Sequence, residues 1–314
     1  MTDLHFVLSA PRSGSTWLAR SLNFHEEIFS TEHRFFGDFC EIWPNNDGST
    51  TPRITSDSYV EAFTMHYLFG EMGLGRDEFQ NAFQRGLINF VTTFGARRTG
   101  KSIVVDKVTP YLGTCQKVLD QIKKFVPEAK LFLLMRDGRD VVTSGTFDWL
   151  LREPKTSPRY QFFVEKNSTN RLKRFFDDEV ITNWAEHWRE VAECGANVDL
   201  AGRITYEEMK ADHAVSLQKI FETLGVDSSL VAAKKCSDAT TFENVTGRKA
   251  GEQRHDAKAR KGIAGDWKNY FTRKDAELFH SIAGEPLIRY GYETNADWIE
   301  EMPDELVWNE ELTN

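Results

Sequence analysis

The stretch FVLSAPRSGSTWLARSL, from Phe6 to Leu22, decides the fold of this chain. A short apolar run leads into a turn rich in glycine, serine and threonine, and a helical pattern from about Thr16 to Phe24 follows. This order of strand, loop and helix is typical of a phosphate-binding loop, because the backbone N–H groups at the start of a helix attract anions. The alternative is an ordinary polar turn after a strand.

The loop departs from the Walker pattern GxxxxGK[ST] at its lysine. We place the second glycine of that pattern on Gly14. Ser9 then stands at the first glycine, Ser15 at the lysine and Thr16 at the hydroxyl residue. Arg12 supplies a fixed positive charge two residues earlier. The loop therefore suits one terminal phosphate with its leaving group better than a β/γ-phosphate pair with a metal ion.

Strand and helix patterns alternate along the rest of the chain. Strands are predicted over 102–106, 130–136 and 203–206. Helices are predicted in two pieces within 57–94 and over 111–126, 180–194, 207–224, 228–235 and about 273–290. This alternation predicts an α/β fold in which a central parallel sheet is flanked by helices on both faces.

The domain organisation follows from where this alternation stops. We expect one domain over 1–291, with an active-site lid over about 153–178, where a polar segment interrupts the pattern. An acidic tail over 292–314 holds eight carboxylates and no lysine or arginine.

The composition argues against a nucleic-acid-binding, a membrane-spanning or a disulfide-rich protein. The net charge of −9 over 314 residues argues against a nucleic-acid partner, and no apolar run is long enough to span a membrane. The amino terminus does not read as a signal peptide. The four cysteines show neither metal-ligand spacing nor a disulfide framework; they are Cys40, Cys115, Cys194 and Cys236. We therefore expect a cytoplasmic protein that does not bind membranes.

One basic segment stands out in this acidic chain. Residues 247–262 hold six lysines and arginines in sixteen positions. A basic, glycine-containing segment predicts a local anion site. The alternative is a solvated loop.

Three motifs, in this order, resemble those of the sulfotransferases that use 3′-phosphoadenosine-5′-phosphosulfate (PAPS). The first is PRSGSTW (11–17), the second is LLMRDGRDVVTSGTF with Arg136 and Ser144, and the third is RKGIAGDWKNYFT (260–272). The resemblance spans residues 7 to 272. It implies the P-loop-like sulfotransferase fold, of the bacterial type, and a PAPS-dependent transferase activity (EC 2.8.2 class) that needs no metal.

The resemblance also assigns the donor site. It implies that the 5′-phosphosulfate is bound by Arg12, Ser13, Gly14, Ser15, Thr16 and Trp17. It implies that the 3′-phosphate is bound by Arg136 and Ser144 and, within a loop over about 247–272, by Arg260, Lys261 and Gly262. The adenine is expected near Tyr206, Thr240 and Phe242, although Tyr206 and Phe242 are also suited to a core role.

Arg136 can be interpreted without the resemblance. An arginine at the carboxyl end of a parallel strand lies in the crevice where such sheets bind ligands, and its planar fork can hold a phosphate through two hydrogen bonds. The alternative is an ion pair with Asp137 or Asp140.

The residue that takes the proton from the acceptor is where this chain departs from many members of the family. Many cytosolic family members use a histidine after the second strand, but residues 104–112 read VVDKVTPYL, without histidine. Other branches use a glutamate about twenty residues after the first motif, which here is Glu32, followed by His33. We expect Glu32 to be the general base, with His33 as the second candidate. The alternative is that Glu32 is a surface partner of Arg34. The resemblance implies that Arg12 stabilises the bridging oxygen as sulfate leaves, and that Lys107 steadies either the transferring sulfuryl group or the acceptor.

The acceptor is expected to be a small molecule that is sulfated on a hydroxyl or an amine. Many family members dimerise, so both a monomer and a homodimer are compatible with the sequence. Two other functions remain as alternatives. One is a non-catalytic module that binds PAPS or its product 3′-phosphoadenosine-5′-phosphate (PAP), and the other is a P-loop kinase.

Overall fold

The computed structural model describes residues 3–32, 36, 42–44, 50–52, 75–158, 160–161, 173–252 and 260–306. Its strands are β1 (Asp3–Ser9), β2 (Ile28–Thr31), β3 (Ile42–Pro44), β4 (Thr50–Pro52), β5 (Ile103–Val108), β6 (Leu131–Met135) and β7 (Gly202–Thr205). Five of them form one sheet in the order β2-β5-β1-β6-β7, and every pairing in it is parallel. β3 and β4 form a separate antiparallel pair.

Helices follow β1, β5, β6 and β7 of the sheet. The described helices are α1 (Ser15–Asn23), α2 (Arg76–Thr99), α3 (Cys115–Phe125), α4 (Gly138–Arg152), α5 (Asp178–Ala196), α6 (Tyr206–Ala211), α7 (His213–Leu224), α8 (Leu230–Ala239), α9 (Phe242–Thr246) and α10 (Arg273–Arg289). Short 3₁₀ helices cover Asp266–Asn269 and Asp297–Ile299.

The sheet separates two hydrophobic clusters, one on each face. In β1, Phe6 and Leu8 belong to one cluster and Val7 belongs to the other. This alternation follows from the two-residue period of a strand, and it explains why β1 reads as a continuous apolar run. The prediction of a parallel sheet covered on both faces is confirmed.

One helix prediction is wrong in its extent. The segment 207–224 forms two helices, α6 and α7, and not one. Asp212 is in an extended conformation between them, and its Oδ1 accepts a hydrogen bond from Val215 N at 3.0 Å. An aspartate that caps a new helix competes with continuation of the previous one, so the chain turns at this residue.

The described part of the 292–314 segment packs on the domain. Trp298 and Met302 are buried. The Arg139 guanidinium lies 3.8 Å from the Trp267 ring and 4.5 Å from the Trp298 ring, and it also pairs with Glu293 at 2.5 Å. We therefore propose that the domain continues to at least residue 306, beyond the expected boundary at 291.

The expected lid is described at its two ends. At its carboxyl end, Arg174 pairs with the buried Asp275 at 2.7 Å, which fastens this end to α10. Residues 159 and 162–172 lie outside the described part of the chain. Within that part, no helix has the length and apolar character needed to cross a membrane.

Candidate functional site

The loop between β1 and α1 has an unusual backbone. Gly14 has a φ of +90°, and Arg12, with a φ of +66°, is in the left-handed region that non-glycine residues rarely occupy. A Cβ on Gly14 would lie 2.7 Å from Cδ2 of Tyr206, so only glycine fits against that ring. The hydroxyl of Ser13 is buried and has no hydrogen-bond partner among the described residues.

A cavity of about 310 Å³ opens beside this loop, at the carboxyl ends of β1 and β6. Six cationic side chains line it, namely Arg12, Arg20, Arg136, Lys210, Arg260 and Lys261. Two carboxylates, Asp140 and Asp266, also line it. An excess of positive charge in a chain of net charge −9 indicates an anionic ligand.

The cavity brings together nearly all the residues that the sequence assigned to the donor. They come from the loop and the start of α1, from the segment that joins β6 to α4 and the middle of α4, from the start of α6, from residues 240–242 and from the third motif. Ser13 is the exception, because it is buried behind the loop and does not line the cavity. The roles of these residues stay predictions, but their convergence from five segments is a fact of the fold.

Arg136 is engaged on several sides. Its Nη1 donates to the carbonyl of Arg12 at 3.1 Å and its Nη2 to the carbonyl of Ile263 at 3.0 Å. Nη2 also lies 3.4 Å from Oδ2 of Asp140. Its Nε is buried and has no hydrogen-bond partner in the described part of the chain. Arg136 therefore links the first and third motifs.

Arg260 and Lys261 share one carboxylate. Arg260 Nη2 pairs with Asp266, and Lys261 Nζ lies 2.9 Å from Oδ1 of the same residue. Burial raises the pKa of Asp266, but the two cations outweigh this effect and hold it below its usual value. The carboxylate is thus ionised at neutral pH and orients both cations at the cavity wall.

Of the aromatic residues at the cavity, some support the loop and others are suited to contact a ligand. The Arg136 guanidinium lies 4.3 Å from the centroid of the Tyr206 ring, and Gly14 packs against the same ring, so Tyr206 mainly supports the loop. Trp17 donates from Nε1 to the carbonyl of Thr240 at 2.8 Å. Phe242 packs on Gly262, where a Cβ would lie 2.3 Å from its ring. Trp17 and Phe242, both partly exposed, are the faces best suited to stacking on a base.

A buried histidine lies beneath Trp17 and makes stability depend on pH. The His213 ring contacts the Trp17 ring, with centroids 4.3 Å apart and the planes tilted by 53°, and Nε2 of His213 has no hydrogen-bond partner among the residues described. Burial lowers the pKa of His213 to about 4. Above pH ~6.5 the ring is neutral in both the folded and unfolded states; below it the unfolded chain gains a proton that the native chain excludes. The free energy of unfolding should therefore fall by about 2 kcal/mol between pH 7 and pH 5 because of this residue.

Denaturant unfolding at pH 7 and pH 5 checks this prediction in the native chain and in His213→Phe. The phenylalanine variant keeps an aromatic ring on Trp17 and removes the titrating group. Between pH 7 and pH 5, the free energy of unfolding of the variant should fall by about 2 kcal/mol less than that of the native chain. An unchanged pH dependence would mean that His213 titrates normally in the folded protein.

The candidate base lies beside the loop and outside the cavity lining. The sheet register pairs Thr31 of β2 with Asp106 of β5, so the next residues, Glu32 and Lys107, are neighbours. Lys107 Nζ lies 2.7 Å from Oε2 of Glu32 and donates to Oγ1 of Thr16 at 3.2 Å. Thr16 lines the cavity, so these contacts connect the cavity to the partly exposed Glu32 carboxylate. His33 lies outside the described residues.

Sequence reasoning missed two cations in the cavity wall. Arg20 lies three residues after Trp17 on α1, and Lys210 lies four residues after Tyr206 on α6. Residues three or four apart share one face of a helix, so this spacing could have pointed to both. Burial lowers the pKa of Lys210, an effect to which the nearby Arg136 adds.

Comparison with known proteins identifies the family. The sequence profile described as "Sulfotransferase domain" matches residues 115–291. The chain is 29% identical to sulfotransferase 2A2 of Mus musculus over 207 residues, which cover 60% of this chain and 67% of that protein. It is 30% identical to sulfotransferase 2B1 of Mus musculus over 204 residues, which cover 59% of this chain and 56% of that protein.

A solved structure shows the same fold. Mouse sulfotransferase SULT7A1 complexed with PAP aligns over 95% of this chain and 88% of its own, with a TM-score of 0.52 and 19% identity. The matched residues, 115–291, include the whole of the second and third motifs. The first motif precedes them. The predicted sulfotransferase fold is thereby confirmed, and the chain belongs to the sulfotransferase domain family.

Proposed function

We propose that this protein is a PAPS-dependent sulfotransferase that sulfates a hydroxyl or an amine of a small-molecule acceptor. The observation that carries the proposal is the cationic cavity, in which a phosphate-type loop and two further basic clusters face the same space. A kinase-type site for ATP would leave the second and third motifs without a ligand. Membership of the sulfotransferase family supports the reaction class.

The residues present fit the two ends of PAPS. The loop offers the hydroxyls of Ser15 and Thr16, a glycine that lets the backbone approach closely, and the guanidinium of Arg12. These groups are suited to the 5′-phosphosulfate. Arg136, Arg260 and Lys261 supply fixed charge for the 3′-phosphate.

In the proposed reaction, PAPS supplies an activated sulfuryl group. Arg12 stabilises the negative charge that develops on the leaving phosphate, as a fixed donor that does not give up its proton. Lys107, whose ammonium contacts both Thr16 and Glu32, stabilises the transferring group. Glu32 takes the proton of the acceptor, and His33 is the second candidate for this role. Arg12 and Lys107 supply the positive charge that a metal ion gives in Walker sites, so we propose a metal-independent reaction.

The remaining features of the proposal come from the sequence. Scattered cysteines and an acidic composition support a cytoplasmic protein with no nucleic-acid or membrane partner. A monomer and a homodimer both suit this function.

Calorimetric titration of the purified protein with PAP, ADP and AMP, in EDTA, tests the proposed function. We expect PAP to bind with a Kd of about 1 μM or tighter, and ADP and AMP to bind at least about 100-fold more weakly because they lack the 3′-phosphate. In parallel titrations with magnesium, tighter binding of ADP or ATP than of PAP would favour a kinase. Tight PAP binding with no sulfate transfer from labelled PAPS to a broad acceptor panel would favour a non-catalytic module.

A further inference from the structure

Helix α4 presents a row of polar side chains to the first motif. Ser144, Asp148 and Arg152 are spaced four residues apart, so they lie on one face of the helix. The hydroxyl of Ser144 was assigned to the donor. Asp148 and Arg152 were assigned no role, and neither of them lines the cavity.

Asp148 is a buried carboxylate that contacts the key arginine of the loop. Its side chain is 2% exposed, and its Oδ1 accepts from Nη1 of Arg12 at 3.0 Å. The Nε of Arg12 donates to Oγ of Ser144 at 3.2 Å. Two contacts on one helix face define the plane of a guanidinium, because Nε and Nη1 belong to the same rigid fork.

The backbone of Arg12 is held as well. Its φ of +66° is unfavourable for a non-glycine residue, and its carbonyl accepts from Nη1 of Arg136 at 3.1 Å. Strained conformations persist where the surroundings fix them, and they are common at functional sites. Asp148 and Arg136 thus fix the two ends of one residue.

We propose that Asp148 is a positioning residue, which orients the Arg12 guanidinium for sulfuryl transfer. This inference rests on the proposed function. An arginine needs such a partner more than a lysine would, because a planar fork stabilises developing charge only in one orientation, whereas an ammonium is a compact point charge. Arg152 pairs with the other oxygen of Asp148 and is 44% exposed, so it mainly balances the buried charge.

The test is a double-mutant cycle between positions 12 and 148. In the native background, Asp148→Asn should lower the rate of sulfate transfer from PAPS to a simple phenol by about 10- to 100-fold, because small misplacements of a catalytic group have effects of this size. In the Arg12→Lys background the same substitution should cost less than about 3-fold, since the lysine has no plane to orient. Equal losses in both backgrounds would overturn the proposal and make Asp148 a purely structural residue.

A second readout does not depend on activity. In the nucleotide-free protein with labelled arginine, the Nε–H resonance of Arg12 is assigned by its loss in Arg12→Lys. In the NMR spectrum, this resonance should be separate from the others in the native protein and in the control Arg152→Gln. In Asp148→Asn its chemical shift should move to that shared by the solvent-exposed arginines. An unchanged resonance in Asp148→Asn overturns the proposal. Asp148→Ser takes the place of the asparagine variant if thermal unfolding shows that the latter does not fold.

The two proposals fail in different ways. A native protein that neither binds PAP nor uses PAPS overturns the proposed function, while the resonance of Arg12 still decides whether Asp148 orients it. A native protein that uses PAPS, with additive effects in the cycle, leaves the function standing and removes only the role of Asp148.

Discussion

Replacing Arg136 by alanine is expected to weaken PAP binding by about 100- to 1,000-fold, the loss that corresponds to two charge-assisted hydrogen bonds to a phosphate. Binding of AMP, which has no 3′-phosphate, should weaken by less than about 10-fold. Calorimetry or competition with a fluorescent nucleotide measures both affinities. The ratio of the two losses, and not either loss alone, reports on the 3′-phosphate contact.

The structure makes this ratio necessary, because Arg136 also has structural contacts. Its donors hold the carbonyls of Arg12 and Ile263, so the substitution could loosen both motifs at once. Equal losses for PAP and AMP would show that Arg136 acts by holding the two loops together. Arg203→Ala is the matched control, since Arg203 is an exposed arginine on β7 that does not line the cavity. That variant should bind both nucleotides like the native protein.

Replacing Glu32 by glutamine is expected to lower kcat by about 100- to 10,000-fold, the range observed for removal of a general base. The affinity for PAP should change by less than about 3-fold, because Glu32 lies outside the cavity lining. Steady-state kinetics with labelled PAPS and a phenolic acceptor, together with PAP titration, separates the two quantities.

Loss of the Glu32–Lys107 ion pair could itself disturb the sheet edge, so the control is another glutamate paired with a lysine. Glu26 pairs with Lys235 at 3.0 Å on the surface and does not line the cavity. Glu26→Gln should turn over like the native protein. Full activity in Glu32→Gln would transfer the role of base to His33 or to another group.

The sequence alone predicted four of the five strands of the parallel sheet, and β2 was not predicted. The apolar runs at 6–8 and 131–135 are continuous and rich in Leu, Val and Phe, so they indicated buried parallel strands with little ambiguity. Most residues of the cavity wall, though not Arg20 and Lys210, were predicted, because each of the three motifs is local. A strand, a glycine-rich turn and the residues that follow are specified within a few positions of one another.

What the sequence could not predict depends on contacts between distant segments. The break at Asp212 was missed because helical periodicity continues through it, and only a cap tells the two helices apart. The packing of Trp298 beside Arg139 was missed because an acidic composition suggests a tail whatever its few aromatic residues contact.

The tertiary structure alone decided how the charges of the site are distributed. The sequence determined that Arg12, Arg136, Arg260 and Lys261 belong to one kind of site, since their motifs carry that information locally. That Arg12 pairs with Asp148, and Glu32 with Lys107, depends on sheet register and helix facing over separations of 136 and 75 residues. Interactions across such separations have no period in the sequence, because they form only when strands and helices from distant parts of the chain pack side by side.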